Sequence, residues 1–458
     1  MRPATYAAAA FLLVCLSTSI DPWPESPTST SDPAAPQATD ATPAPLGPPV
    51  PVSVPVAAAP AASAASAAKP AAPAVEPYVA PDEGRFGSPE QVVPGVEYRS
   101  FTVPTSHGSA HVHLLTADLN HPGVRAGMLY PGAVASTAPV SGMASEQGAV
   151  GGINGDFFDI SEEQHPGVEA TGATSGPMVL DGRPLKGAVP QGQRFGWTPP
   201  DGDTSEDVFG VGTDGRARTA RLTLRGHVRT PKGLLELGGL NQYALPVDSI
   251  GVFTPRWGSV SRARAVCGTD DDRAAPCTGE SYEVTVRQGK VESVSESPGR
   301  GAIPEDAVVL LGREAGARAL RELTPGTPVQ VDYALESTAG VPFAFALGAY
   351  PVVRGHEPLP GLDTAVAEPR TAVGITAGGR VLHLLSMDGR EGTSSGLTVG
   401  ELADVLRSLG CTEAVYLDGG GSATLATRDP GTGMVRVRNN LDRGQERSVP
   451  NGIAVFSG

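Results

Sequence analysis

The sequence has no basic patch. Its formal net charge is −15, and its cations, nearly all arginine, are scattered among acidic residues. Non-specific binding to nucleic acid or to an anionic membrane surface needs a Lys/Arg-rich face, so neither is expected as a partner. A long apolar run is also missing. The run from Tyr6 to Leu16 is too short to cross a bilayer comfortably, and no other stretch is long and apolar enough for a transmembrane helix, so no membrane span is expected. Cysteine is scarce, with four in 458 residues, and a metal reading of Cys267 and Cys277 is poor because no second Cys or His pair stands at zinc spacing. The glycine turn at Asp418–Ser422 lacks the following Lys of a P-loop, and Gly421-Ser422-Ala423 does not match a nucleophile elbow. No internal repeat is present.

What is abundant is Gly (58) and Pro (44), unevenly placed. Arg2, the apolar run and the small residues Ser17 to Ser19 have the form of a secretion signal over residues 1–20. Cys15 raises a lipid-anchor alternative, weakened by Val14, which is not the small residue expected before a lipidated cysteine. Residues 21–90 are expected to be a disordered tether. They are dominated by Pro, Ala, Ser and Thr to about Pro81, and such a segment buries too little apolar surface to offset its ordering entropy. It serves either as a spacer or as a passive leader. Residues 91–458, about 370 residues, suffice for one large domain or two intertwined ones. Secreted or extracellular localisation follows, with cell-surface association compatible. In an oxidising compartment Cys267 and Cys277, which bracket a short polar loop, are expected to form a disulfide, leaving Cys411 unpaired and buried.

Past residue 90 the pattern is mostly strand. Val112–Asp118, Arg221–Val228, Tyr282–Val286, Val308–Leu311, Val329–Leu335 and Val381–Ser386 are short apolar or alternating runs bounded by Gly, Pro, Asn or Asp. Helices are expected at Thr137–Gly148, Ala315–Leu323 and Thr398–Leu409. In the last, Leu402, Val405, Leu406 and Leu409 recur at helical spacing, Thr398 and Glu401 form a capping-box pair, and Gly410 closes the end. A strand at Ala414–Leu417 should follow at once. The class is α+β (mixed α/β), strand-rich, with few helices.

Three stretches hold more Gly and polar residues than a core needs. In Asn154-Gly155-Asp156-Phe157-Phe158 a strand ends in a turn exposing two polar groups, although Asn-Gly-Asp is also ordinary turn chemistry. Around a Gly378-Gly379 hairpin, Arg370 and Arg390 lie near the two open ends. Their guanidinium groups suit a phosphate, or form ion pairs with Glu368 and Asp388. Asp418-Gly419-Gly420-Gly421-Ser422 puts a carboxylate at a strand end before a turn with several free N–H groups, a place for an anion or a sugar, or a structural turn.

Taken together and in order, these stretches, with Asp388-Gly389-Arg390, Gly396-Leu397-Thr398 and Arg447-Ser448-Val449-Pro450-Asn451-Gly452, resemble the phosphodiester glycosidase family. The resemblance covers roughly residues 95 to 458, with 195 to 340 matched loosely. It implies hydrolysis of a glycosyl-1-phosphodiester to free sugar and phosphomonoester, on a carbohydrate or phosphoglycan substrate such as a surface exopolysaccharide. A phosphomonoester leaves readily, so stabilising its charge matters more than protonating it, while the oxocarbenium-like transition state favours a carboxylate nearby. The expected catalytic pair is Asp156 and Asp418. Substrate binding falls to Asn154, Arg370, Asp388, Arg390, Gly419, Gly420 and Ser422. Tyr416 stands where the family often carries Asn. The alternative is a non-catalytic glycan-binding protein that keeps the family fold.

No cofactor is expected. Asp270-Asp271-Asp272 offers Ca²⁺ oxygen ligands but lacks the alternation of a calcium loop, so a solvated charge run is the plainer account. His107, His111 and His113 invite a metal, two of them on one strand face. The segment matches an ordinary N-terminal strand of the family, and no metal site is assigned.

Overall fold

The computed structural model describes residues 80–196, 199–200, 202–390 and 394–458. The expected secretion signal, Cys15 and the tether up to residue 79 lie outside the described residues. The end of the expected tether is folded. Glu83–Phe86 forms one helical turn, capped by the Asp82 side chain, which accepts from the Arg85 N–H. Phe86 packs edge-on against Phe101 with ring centroids 5.2 Å apart, and strand Glu90–Val93 follows. The reason is local: Phe86 is a large apolar residue, and burying it gives this short stretch what the residues before it lack.

The described chain is strand-rich with few helices, as its punctuation predicts. An eight-stranded antiparallel sheet runs in the order Glu90–Val93, Val96–Thr105, Gly108–Asp118, Val381–Met387, Thr371–Thr376, Glu413–Leu417, Tyr350–Arg354, Glu357–Pro358. Its two central strands, Thr371–Thr376 and Val381–Met387, are buried along their whole length, which is why they read as near-continuous apolar runs rather than alternating ones. Their hairpin turns at Ala377, Gly378 and Gly379, all with positive φ. A second, five-stranded sheet runs Val435–Val437, Leu425–Arg428, Gly151–Asn154, Gly452–Ser457, Val124–Leu129. One continuous core joins the two sheets, with Leu114, Leu115, Ile153, Leu384, Leu385 and Leu425 among its fully buried residues.

Val399–Ser408 is the best-specified helix. Thr398 accepts from the Glu401 N–H while the Glu401 carboxylate accepts from the Thr398 N–H, and Leu402, Val405 and Leu406 form the buried stripe. The expected Thr137–Gly148 helix is shorter, Val140–Glu146, because Ala138–Pro139 pairs instead with Ser448–Val449 as a small sheet. The Ala315–Leu323 helix likewise ends at Leu320.

The 195–340 part has a core of its own. Strands Gly239–Leu240, Ile250–Phe253, Ala307–Arg313, Ser281–Arg287 and Lys290–Ser295 make a sheet on which helix Ala315–Leu320 packs, burying Val252, Val284, Leu310 and Leu320. Cys267 and Cys277 are bonded as expected, and Cys411 is free and buried. No helix among the described residues is long and apolar enough to cross a membrane.

Candidate active site

Two turns at strand ends are stitched together by Asn154. Its Nδ2 donates to the Asp418 carbonyl at 2.7 Å, and its Oδ1 accepts from Thr371 Oγ1 at 2.8 Å and Thr424 N at 3.1 Å. The Asp418 N–H in turn donates to the Gly155 carbonyl at 2.9 Å. Asn154 is fully buried and all these contacts are internal, so it builds the site and does not face a ligand. Gly155 is required by close approach, since a Cβ there would sit 2.1 Å from Asn451 Oδ1.

The glycines after Asp418 have the same explanation. A Cβ on Gly419 would lie 2.5 Å from the Pro369 carbonyl, and one on Gly421 would lie 2.5 Å from Arg447 Nη2. Gly420 has φ +57° and donates its N–H to Pro369 O at 2.8 Å. The glycine run therefore lets two other segments lie directly on the turn, with Arg447 crossing it.

A cavity of about 740 Å³ opens over this turn, within the range of small-molecule sites. Asp418, Gly419 and Gly420 form part of its lining, Arg370, Arg390, Arg443 and Arg447 bring cations to it, and Phe157, Phe158, Phe195 and Tyr416 bring aromatic surface. Glu368, Asp363, Asp442 and Glu446 bring carboxylates. Asp418 is partly open to this space. Ser422 Oγ donates to its Oδ2 at 2.6 Å, and Arg447 Nη1 donates to Ser422 Oγ at 3.2 Å. Burial pushes the Asp418 carboxyl up to about 7, against the Ser422 bond and the Arg447 charge, with repulsion from Asp156 adding to the rise.

Asp156 lies next to this cavity but not in its lining. Its Oδ2 accepts the Gly176 N–H at 2.7 Å, and its backbone N–H donates to Asn451 Oδ1 at 3.0 Å. Its Oδ1 is buried with no hydrogen-bond partner among the described residues. Burial raises it to about 6, opposed by the Gly176 N–H and by the charges of Lys186 and Arg194. Lys186, itself buried and driven down to about 7 by burial, donates to the carbonyls of Ser175, Gly176 and Gly187 at 3.2, 2.9 and 2.6 Å. It pins the loop whose amide holds Asp156.

The two arginines expected on phosphate differ. Arg370 is buried, with Nε on Leu397 O (2.9 Å), Nη1 on the Tyr416 hydroxyl (2.8 Å) and Nη2 on Val366 O (2.6 Å). Each of its three nitrogens thus already serves the scaffold. Arg390 is half-exposed and pairs with Glu368 at 3.1 Å and more loosely with Asp442 at 3.7 Å. Glu368 thus takes both arginines, as the ion-pair alternative expects, but Asp388 takes neither. Asp388 is buried off the cavity, bonded to His113 and to Asn440. Ser422 is buried and reaches the cavity only through Asp418 and Arg447.

Sequence reasoning missed Arg447, Arg443, Asp442 and Phe195. Arg447 opens the Arg-Ser-Val-Pro-Asn-Gly stretch that is part of the family resemblance, so its signal was present. Arg443 had none. It is exposed, stands at φ +57° in the Asp442–Gly444 turn, and makes no hydrogen bond or ion pair among the described residues. The disulfide loop supports Phe195: Arg273 lies 4.0 Å from the Phe195 ring and donates to the Arg194 carbonyl at 3.0 Å.

Comparison with known sequences bears on the strands, helix and glycine turn that carry this geometry. Residues 280–456 match the phosphodiester glycosidase family. That span contributes Asp418, Arg390, Arg447 and the Tyr416 ring, while Phe157 and Phe195 come from outside it. The SPbeta prophage-derived uncharacterized protein YomE of Bacillus subtilis is 30% identical over 131 residues, which is 28% of this chain and 19% of that protein. The match thus spans about a fifth of the curated relative's length. Two solved structures share the fold. A hypothetical protein from Synechocystis aligns at TM-score 0.60 and 21% identity over 80% of this chain and 63% of its own. A Burkholderia pseudomallei protein aligns at TM-score 0.57 and 22% identity over 76% of this chain and 74% of its own. The zebrafish N-acetylglucosamine-1-phosphodiester alpha-N-acetylglucosaminidase catalytic domain fits more loosely, with TM-score 0.40 and 14% identity.

Proposed function

We propose that the chain is an exported hydrolase that splits a glycosyl-1-phosphodiester in a surface or extracellular glycan. Water adds at the anomeric carbon, the bond from that carbon to the phosphate oxygen breaks, and a free sugar and a phosphomonoester leave. The observation that carries this is the place of Asp418, a carboxyl group at the wall of a cavity that also holds Arg390, Arg443 and Arg447, where burial pushes it up to about 7. Asp418 acts at the sugar, where charge develops in the transition state. The arginines receive the phosphate, whose charge grows as it departs. Aromatic faces at Phe157, Phe195 and Tyr416 suit the apolar face of a sugar ring. Asp156 acts from below the lining, through the repulsion by which its charge helps to raise the Asp418 carboxyl. The Cys267–Cys277 bond supports an oxidising, exported setting.

The test is hydrolysis of a panel of sugar-1-phosphate diesters by the full chain, with Asp418→Asn beside it. Sugar release by the parent and loss in the variant is the expected result. Binding of a polysaccharide without turnover of any diester would replace this proposal with the glycan-binding alternative.

A further inference from the structure

Away from the cavity, three metal-ligating side chains meet on one face of the eight-stranded sheet. His111 and His113 are two residues apart on strand Gly108–Asp118 and so point to the same side, with ring centroids 4.9 Å apart. Asp388 follows strand Val381–Met387, whose Met387 pairs with Val112, and the Asp388 N–H donates to the His111 carbonyl at 3.1 Å. Register therefore sets Asp388 beside His111, and one ligand atom from each of the three lies within 4.8 Å of the others.

We propose that His111, His113 and Asp388 form a binding site for a late first-row divalent cation such as Zn²⁺, with solvent completing the coordination. The donor set, two imidazoles and one carboxylate, is of the type such ions take. His113 Nε2 and Asp388 Oδ1 stand 2.8 Å apart. Ligands at zinc distances and a tetrahedral angle lie roughly 3.3 Å apart, so about half an ångström of widening admits the ion.

The surroundings are those of a ligand shell. His113 Nδ1 lies 2.7 Å from the Tyr98 hydroxyl and His111 Nδ1 lies 3.2 Å from Thr102 Oγ1. Asp388 is held from behind by Asn440, through N–H to Oδ1 at 2.7 Å and Nδ2 to Oδ2 at 2.9 Å. Such outer partners orient ligands and raise affinity. His113 and Asp388 are buried and His111 is half-exposed, which leaves a way in from one side. The site is separate from the cavity, but Asp388 is two residues from Arg390, which lines that cavity.

The test titrates chelator-treated full chain with ZnCl₂ at pH 7.5 by calorimetry and follows its melting temperature. One saturating site per chain and a raised Tm are expected. His111→Ala should weaken binding more than about tenfold, as should Tyr98→Phe, which keeps the ring but removes the hydroxyl beside His113. His107→Ala, on the neighbouring turn, should leave binding intact. Absence of saturable binding overturns the proposal, and so does Zn²⁺ affinity unchanged in a His111→Ala protein that melts like the parent. Neither result depends on hydrolysis of a diester, so this proposal and the hydrolase proposal stand or fall separately.

Discussion

Ser422 Oγ donates to Asp418 Oδ2 at 2.6 Å and accepts from Arg447 Nη1 at 3.2 Å, so one hydroxyl links the cavity carboxyl to the cation lying across the glycine turn. The link stabilises the ionised form of Asp418, because a donor bonded to a carboxylate favours its charge. Ser422→Ala should therefore raise the Asp418 pKa above its value of about 7. A lost bond of about 1 kcal/mol corresponds to roughly 0.5–1 pH unit. The limb of the pH–rate profile governed by Asp418 should move to higher pH by that amount. If activity rises through this limb Asp418 works ionised, and if it falls Asp418 works as an acid. An unmoved limb would separate Asp418 from the titration.

Arg447→Gln should raise the KM for a diester and lower kcat together, since the same guanidinium touches the cavity and steadies Ser422. A loss of about 10²-fold in kcat/KM is expected, comparable to removing one donor from a developing charge. Arg390→Gln, whose charge is already shared with Glu368 and Asp442, should lose less. Steady-state kinetics on one diester would rank the two.

Arg370→Met should act through stability. Its three nitrogens serve Leu397 O, the Tyr416 hydroxyl and Val366 O, and removing them orphans buried acceptors at a cost of about 3 kcal/mol or more. Urea unfolding should show a markedly lower midpoint. A variant as stable as the parent but inactive would return Arg370 to direct contact with substrate.

Asp418→Asn should make the fold more stable at pH 8 while removing activity. A carboxyl raised to about 7 stays protonated in the folded state at pH 4, while in the unfolded chain it is only about half ionised, so its cost there is under about 1 kcal/mol. Its ionisation penalises the folded state as pH climbs past the ordinary carboxylate range, and the penalty is complete above about 7. The gain from the neutral side chain should be small at pH 4 and roughly 1–3 kcal/mol at pH 8, read from the difference in Tm.

Removing the disulfide as Cys267→Ser with Cys277→Ser should cost about 2–3 kcal/mol, the usual effect of closing a short loop. The loop carries Arg273, which braces Phe195 in the cavity wall, so KM should rise more than kcat falls. Equal effects on both would mean that the wall does not depend on the loop.

Much of the scaffold could be read from local chemistry. The Thr398–Glu401 capping box, the Gly378-Gly379 hairpin and the Cys267–Cys277 loop are each specified by residues within a dozen positions of one another. The cavity was harder, because its membership depends on register. Asp388-Gly389 and Asp418-Gly419 look alike in sequence and both follow buried strands. One Asp opens to the cavity, and the other turns toward His113 and Asn440 because its strand lies beside Gly108–Asp118. Arg447 meets Asp418 only because Gly421 has no side chain to keep it away. Arg370 and Arg390 were correctly placed near each other, yet whether a guanidinium faces a ligand or a row of carbonyls is decided by packing that no local pattern records.

Strand Gly452–Ser457 lies inside its sheet, bonded to Gly151–Asn154 on one side and Val124–Leu129 on the other. Gly151–Asn154 in turn ends at Asn154, the residue that ties the two site turns together. During synthesis, then, the sheet stays open between Gly151–Asn154 and Val124–Leu129 until residue 457 has cleared the ribosome, although the two site turns already have each other as partners.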